Sequence, residues 1–305
     1  MNWPKNLKGR VKVKEPLKKH TTFQIGGAAQ FFIEPEDPGD LKLLLNLLKR
    51  DKIPFRIIGA GSNILVDDYG VNGAVLRLNS PYFKKAEFKG LNLDVGSGLL
   101  INRLVWLTHK HGLSGAEFLV GIPGTVGGAL MMNAGISEKG KSTCLSGRQV
   151  KSIGDLVVNV TVADYNGNIK TLNRKDIQFG YRESSLSKYI ILSARLKLVK
   201  KDKNKIRDTI KKCLGYRKDT HDLSRPSAGC IFKNPEGFSA GQLIDLCGLK
   251  GKRIQDARVS FKHANFILNL GKARAKDVFK LMKLITKEVE DRFDIILKPE
   301  IKIWQ

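Results

Sequence analysis

Backbone amides in two glycine-rich turns are the first groups in this chain whose types and spacing could do chemistry. Between Gly115 and Gly135 the sequence reads GAEFLVGIPGTVGGALMMNAG, with six glycines and one charged residue, Glu117. Glycine costs more backbone entropy on folding than any other residue, so a cluster marks positive φ or a close approach to the backbone. A turn through Gly121, Ile122, Pro123, Gly124, Thr125, Gly127 and Gly128 can aim several N–H groups at one anion with no side chain in the way. This run reads as one wall of a nucleotide-cofactor site; a tight buried turn that needs small residues is the alternative. A second turn, Gly59-Ala60-Gly61-Ser62-Asn63, adds amides, the Ser62 hydroxyl and the Asn63 amide. It is not the dinucleotide fingerprint GxGxxG, because Ile64 stands where the third glycine belongs.

Other patterns are weaker. Residues 135–142, from Gly135 to Gly140-Lys141-Ser142, match the phosphate-loop pattern GxxxxGK[ST]. A working phosphate loop follows a buried strand and opens a helix. Here the following residues, TCLSGRQVKSIG, lack helical periodicity, and coincidence is the better reading. The four cysteines (Cys144, Cys213, Cys230 and Cys247) form no CxxC pair and lack zinc-ligand spacing, which predicts free thiols in a reducing cytoplasm and no metal. The segment Arg225–Pro235, RPSAGCIFKNP, is dense in special residues.

The elements that must position these turns alternate. Asp37–Asp51 predicts an amphipathic helix with Asp37 as N-cap and Pro38 at the first helical position. Ile53–Ile58 predicts a strand running into the 59–63 turn, an α/β unit with its ligand loop at the strand's carboxyl end. Further strands are expected at Ala74–Leu78 and Leu91–Val95. Ser97 is expected to cap a helix through His111, with Leu100, Ile101, Leu104, Val105 and Leu107 inward. Asp155–Leu172 reads as a hairpin around an Asn-Gly turn, and Tyr189–Val199 as a long strand. A basic helix over 200–218 faces inward through Ile206, Ile210, Cys213 and Leu214. Then come a helix at Ala240–Leu246, a strand at Ala264–Leu268 and a helix at Ala275–Phe293.

With 305 residues the chain can bury a large core and divide into domains, expected at 1–80, 81–200 and 201–305. No apolar run is long enough to span a bilayer, and the basic start lacks the apolar stretch of a secretory signal. The net charge of +25 favours anionic partners. Its lysines are spread along the whole chain, and no aromatic–basic array of a nucleic-acid binder occurs.

Taken together, eight stretches resemble the UDP-N-acetylenolpyruvoylglucosamine reductases, the MurB family. They are HTTFQIGGAAQ (20–30), IIGAGSNILV (57–66), the 115–135 run, YRESS (181–185), PSAGCIFKNP (226–235), AGQLID (240–245), VSFKHANFILN (259–269) and LKPE (297–300). They fall in the family's order, and the chain looks like the shorter subtype. The resemblance implies an α+β fold: a two-subdomain FAD-binding unit of the vanillyl-alcohol-oxidase-like type plus a C-terminal α+β substrate domain. It implies non-covalent FAD with NADPH as reductant, UDP-N-acetylglucosamine-enolpyruvate as substrate and UDP-N-acetylmuramate as product. A monomer is expected, with neither nucleic acid nor membrane as an obligate partner.

The family motif then assigns roles. Hydride addition to an enol ether drives negative charge onto the α-carbon and its carboxylate, and Arg182 is the matched cation. The α-carbon needs a proton, and Cys230 stands where the family commonly has serine. A thiol with an ordinary pKa of about 8.5 carries its proton at neutral pH; Ser227 or a water is the alternative donor. Glu300 matches the family's acidic residue. Tyr181, Lys233 and Asn234 are the expected substrate contacts, and Asn133 and Gly135 lie near the flavin by analogy. The readings that compete are a nucleotide hydrolase built on 135–142 and a basic nucleic-acid-binding protein.

Overall fold

The computed structural model describes residues 7–135 and 152–305. The GxxxxGK[ST] match beyond Gly135 and Cys144 lie outside those residues. By internal contacts the chain divides into two compact units, each assembled from separated segments. One comprises Met1–Lys12, Phe31–Ala60 and Gly73–Arg217, the other Val13–Gln30, Gly61–Asn72 and Lys218–Gln305. The fold is α+β in both.

The first unit holds two hydrophobic cores. One forms around α1 (Pro38–Arg50), whose N-cap Asp37 accepts from the Asp40 N–H at 2.9 Å. Leu41, Leu44, Leu45 and Leu48 recur at helical spacing and pack with Phe31, Ile33, Leu76 and Ile190. Beside it Phe55–Ile57 pairs in parallel with Ala74–Leu76, as expected for a strand feeding the 59–63 turn.

The second core is covered by a five-stranded antiparallel sheet. Its order is Ile169–Asn173, Val157–Ala163, Ile190–Lys197, Asn92–Gly96, Ala86–Lys89. The expected hairpin is present, in register from Ile169 opposite Ala163 to Asn173 opposite Asn159. On the sheet, Arg195 grips Asp94 with two hydrogen bonds of 2.6 and 2.7 Å and holds its carboxyl below the ordinary range.

Helix α2 (Ile101–Lys110) starts later than the sequence suggests. Ser97 is not its cap, because residues 97–101 pair with the glycine run instead. Gly127 N donates to Ser97 O at 2.8 Å, Val126 N to Leu99 O at 2.9 Å, and Ile101 N to Gly124 O at 2.9 Å. Leu100 is consequently at the cap, 51% exposed, where an inward position was expected. The glycine run itself turns out to contain a short helix, α3 (Val126–Met131), capped by Thr125 Oγ1, which accepts from Gly128 N at 3.3 Å. Helix α4 (Lys203–Thr220) adds Cys213 to the same core, with Ile210 packed against it. Leu214 is 43% exposed, against expectation, because it lies at the edge of the stripe, about 80° round the helix from Ile206 and about 100° from Cys213.

The second unit packs α5 (Ala240–Leu246) and α6 (Ala275–Phe293) with a three-stranded antiparallel sheet of Arg253–Ile254, Ala257–Val259 and Ile267–Asn269. The expected strand at Ala264–Leu268 begins later, because Phe266 is taken up by a bridge to Cys230. Val278, Met282, Ile285 and Val289 face the core. The Asp68 carboxylate accepts from Ala275 N at 2.9 Å and Lys276 N at 3.1 Å, satisfying the first turn of α6. Lys302–Trp304 pairs in parallel with Ile64–Val66.

Candidate active site

A cavity of ≈ 410 Å³ opens in the first unit. Its walls are the end of the Phe55–Ile57 strand with Gly59, the 97–100 segment, the first turn of α3, and Tyr189–Ile191. Gly59 and Thr125 meet there so closely that a Cβ at 59 would lie 2.5 Å from Thr125 Oγ1. Gly127 and Gly128 line the cavity with them. Arg77, Lys84 and Arg103 also line it, and no carboxylate does among the described residues. Ser97 is 4% exposed in this wall, and its Oγ makes no hydrogen bond among the described residues. The volume lies within the usual range for small-molecule and cofactor sites.

The other expected cofactor residues sit in different places. Gly121 N donates to Asn102 Oδ1 at 2.9 Å, and Gly121 lies against Arg217. Gly121, Ile122, Pro123 and Gly124 are not among the residues lining the cavity, and neither is Ala60. Gly61 is in the second unit with φ +64, where a Cβ would lie 2.1 Å from His20 O. Its carbonyl accepts from Thr22 N at 3.2 Å, which fixes the start of the Ser62-Asn63 segment.

The end of the glycine run meets the YRESS hairpin in the first unit. Phe179–Gly180 pairs with Glu183–Ser184, leaving Tyr181 and Arg182 at the turn. Asn133 Nδ2 donates to Gly180 O at 2.9 Å, while its Oδ1 accepts from Gly154 N at 3.2 Å. Ser184 Oγ donates to Met131 O at 3.0 Å. Arg182 Nη1 donates to Gly135 O at 3.2 Å, and its guanidinium lies 5.3 Å from the Tyr181 ring centre. Arg182 has φ +58, a strained conformation for a non-glycine residue and of the kind that gathers at functional sites. Asn133, Gly135, Tyr181 and Arg182 are therefore one constellation.

A second constellation forms in the other unit. The extended segment Cys230–Phe232 is held on both sides. Ile231 N donates to Asn265 O at 2.9 Å, and Glu300 N donates to Ile231 O at 2.8 Å. The Asn265 amide acts as a strand edge towards Phe232, its Oδ1 accepting from Phe232 N at 2.9 Å and its Nδ2 donating to Phe232 O at 2.8 Å. Cys230 and Glu300 are thereby neighbours on adjoining segments, both half-buried. Asn63 Nδ2 donates to Glu300 O at 3.1 Å, so this side chain braces the Glu300 segment. Lys233 N donates to Lys298 O at 2.8 Å, and Asn234 Oδ1 accepts from Ala240 N at 3.0 Å, which places Asn234 at the start of α5.

Residues that sequence reasoning missed are the braces and the charges: Asn265, Asn102, Ser97, Arg77, Lys84 and Arg103. The Gly96-Ser97-Gly98 triplet closing a strand was the one available signal for the cavity wall. Asn265 is 3% exposed, and Asn265→Ala strips two buried partners from Phe232. The expected loss is on the order of 2–4 kcal/mol of unfolding free energy, read by chemical denaturation.

His263, mostly buried against Phe266 and His221, is held below the ordinary histidine range by that burial. The unfolded chain then binds a proton near pH 6.5, the ordinary histidine value, and the folded chain binds it only at lower pH. Stability is therefore full above that pH and falls as pH drops through the folded value, with a slope of up to about 1.4 kcal/mol per pH unit. Denaturation midpoints between pH 8 and 5.5 should show this decline, and His263→Phe should flatten it.

Comparisons with known proteins identify the family of the chain. The profile of the UDP-N-acetylenolpyruvoylglucosamine reductase C-terminal domain matches residues 221–304, and that of an FAD binding domain matches residues 29–173. The UDP-N-acetylenolpyruvoylglucosamine reductase 2 of Symbiobacterium thermophilum is 40% identical over 97% of this chain and 92% of its own length. The reductase of Clostridioides difficile is 40% identical over 96% and 93%. The crystal structure of the reductase from Thermus caldophilus aligns with a TM-score of 0.79 at 37% identity, covering 98% of this chain and 99% of that one. A solvent-stable cholesterol oxidase shares only the fold, at 16% identity and a TM-score of 0.50 over 65% of this chain and 40% of its own. The chain thus belongs to the UDP-N-acetylenolpyruvoylglucosamine reductase family, FAD-carrying oxidoreductases of peptidoglycan synthesis that draw on NADPH.

Proposed function

We infer that this chain reduces UDP-N-acetylglucosamine-enolpyruvate to UDP-N-acetylmuramate with NADPH as reductant and FAD as cofactor. The observation that carries the reading is the backbone pairing of the Cys230–Phe232 and Lys298–Glu300 segments, which sets the two stretches bearing Cys230 and Glu300 side by side. FAD fits the first unit's cavity: a site of ≈ 410 Å³ lined by Arg77, Lys84 and Arg103 and by apolar side chains suits a dianionic dinucleotide with aromatic ends. Gly59, Thr125, Gly127 and Gly128 would hold it directly. Ser62, Asn63 and the 121–124 turn would do so through the segments they brace. When bound, the flavin supplies hydride chemistry, passing two electrons from NADPH to the methylene carbon of the enol ether.

The chain's own residues do the rest. Arg182, pinned by Gly135 O and Tyr181, presents a guanidinium to the substrate carboxylate as charge develops on it. The Cys230 thiol delivers the proton to the α-carbon, which together with the hydride completes the saturated lactyl ether. Glu300, on the adjoining segment, steadies the developing enol, while Tyr181, Lys233 and Asn234 contact the substrate. The domains 1–80, 81–200 and 201–305 serve as the two flavin-binding subdomains and the substrate domain.

The protein works as a cytoplasmic monomer. The described cysteines form no disulfide, and no described helix is long and apolar enough to cross a membrane. Among the described residues no cluster of side chains could hold a metal.

Purified protein is expected to be yellow, and to turn over NADPH repeatedly only when the enolpyruvyl sugar nucleotide is present to reoxidise the flavin, eluting as a monomer on size exclusion. A colourless protein that takes up no FAD and leaves NADPH untouched would falsify the reading.

A further inference from the structure

We propose that the outward faces of α2 and α4 form a docking surface for a bilayer of anionic phospholipid. The residues concerned all belong to the first unit. Helix α2 contains no acidic residue, and Arg103, Trp106 and Lys110 stand on its exposed side. Their spacing puts them within about 60° of one another round the helix. Trp106 is 45% exposed, with the Arg103 guanidinium 4.0 Å and the Lys110 ammonium 5.4 Å from its ring centre. Along α4, Lys203, Arg207, Lys211 and Leu214 follow at intervals of four, four and three, and all are exposed. The two helices are tied at both ends. A Cβ at Gly112, just past α2, would lie 3.8 Å from Lys203 Cε. At the other end Gly121 N donates to Asn102 Oδ1 at 2.9 Å, and a Cβ at Gly121 would lie 3.6 Å from Leu214 Cδ2. The basic stripe of α4 therefore runs beside the exposed face of α2.

The chemistry of this surface selects the partner. The nearby carboxylates do little to neutralise it. Asp202 spends Oδ1 on the Asn204 and Lys205 N–H groups, and Asp208, about 120° round α4 from Leu214, reaches Arg207 only at 3.8 Å. Five cations around a protruding indole and leucine match a lipid headgroup layer. Phosphates meet the cations, while Trp106 and Leu214 enter the apolar boundary beneath. A nucleic acid would use the indole by stacking a base on it, and Arg103 already stands over that ring. The net charge of +25 adds long-range attraction, but Trp106 and Leu214 decide which face lands. The contact is peripheral and sensitive to salt.

The experiment is co-sedimentation of the full chain with vesicles of phosphatidylglycerol in phosphatidylcholine, and with vesicles of phosphatidylcholine alone. Binding is expected to the first and not to the second. Trp106→Ala should weaken it about tenfold, through the apolar area lost. Lys110→Glu combined with Lys211→Glu should weaken it at least about 25-fold, about fivefold for each cation removed. Lys280→Glu combined with Lys287→Glu, at exposed positions of α6, makes the same change in net charge. That pair should cost less than about threefold, because charges away from the contact are screened. Arg103 is left unaltered, since it also lines the cavity. All three variants change exposed side chains and are expected to stay folded, which melting curves check. Equal losses for the two lysine pairs, unchanged binding in Trp106→Ala, or no binding to the anionic vesicles overturns the proposal. Binding of a single-stranded RNA that falls as steeply with Trp106→Ala assigns the surface to nucleic acid, and overturns it too.

Discussion

Replacing Cys230 by alanine is expected to cut turnover of the enolpyruvyl ether by roughly 10²–10⁴, the usual worth of a positioned general acid. Bleaching of the bound flavin by NADPH should survive, because that half of the reaction needs no proton from residue 230. The variant should also keep its fold. Cys230 is held by backbone pairing of its segment with Asn265, Phe266 and Glu300, and an alanine leaves those bonds in place. Stopped-flow absorbance separates the two halves. Cys230→Ser should retain most of the activity, since a hydroxyl at the same position can donate the same proton. Near-normal turnover in the alanine variant would move the acid to Ser227 or a water.

A leucine at Gly128 is expected to abolish stable FAD binding, weakening it by more than about 100-fold, while the protein stays folded. Gly128 is exposed at the cavity wall, and a Cβ there would meet only Thr125 Oγ1, at 3.5 Å. The backbone therefore accepts a side chain. In α3 that exchange even gains helix propensity, about 0.5–1 kcal/mol over glycine. The space the side chain would enter is the space the cofactor needs. Purified variant should lack the flavin absorbance band and melt no lower than the stripped parent protein. A yellow Gly128→Leu protein would place the cofactor outside this cavity.

The long helices were legible because several physical signals agreed. For α1, periodic leucines, the Asp37 cap and Pro38 all point to one start. Ser97 misled because a serine ahead of apolar residues looks like a cap until a distant segment competes for its backbone. That competitor is the glycine run, whose own short helix stayed hidden because glycine has low helical propensity. Lys302–Trp304 was invisible for a different reason: three residues carry no period, and their partner lies at Ile64–Val66.

The site divides along the same line. The turns at 59–63 and 121–128 stood out by composition, but of their residues only Gly59, Thr125, Gly127 and Gly128 line the cavity; Arg182, Cys230 and Glu300 were singled out by the resemblance. Asn265 and Asn63 could not be, because a bracing amide is recognised only by what it braces. Arg77, Lys84 and Arg103 were lost among 54 lysines and arginines spread along the chain.

The pairing of Lys302–Trp304 with Ile64–Val66 also sets a timetable for biosynthesis. On the ribosome α1 can form as soon as its own residues emerge, since its caps are local. The shelf that bears Glu300 cannot. It needs Asn63, made early, to wait for Glu300 and Lys302, the last of its partners to be synthesised. Until then Leu65, fully buried in the finished fold, lacks the parallel strand that joins it to the chain's end. The nascent chain therefore carries an unpaired apolar edge until residues 302–304 have emerged, an interval in which chaperone binding is most useful.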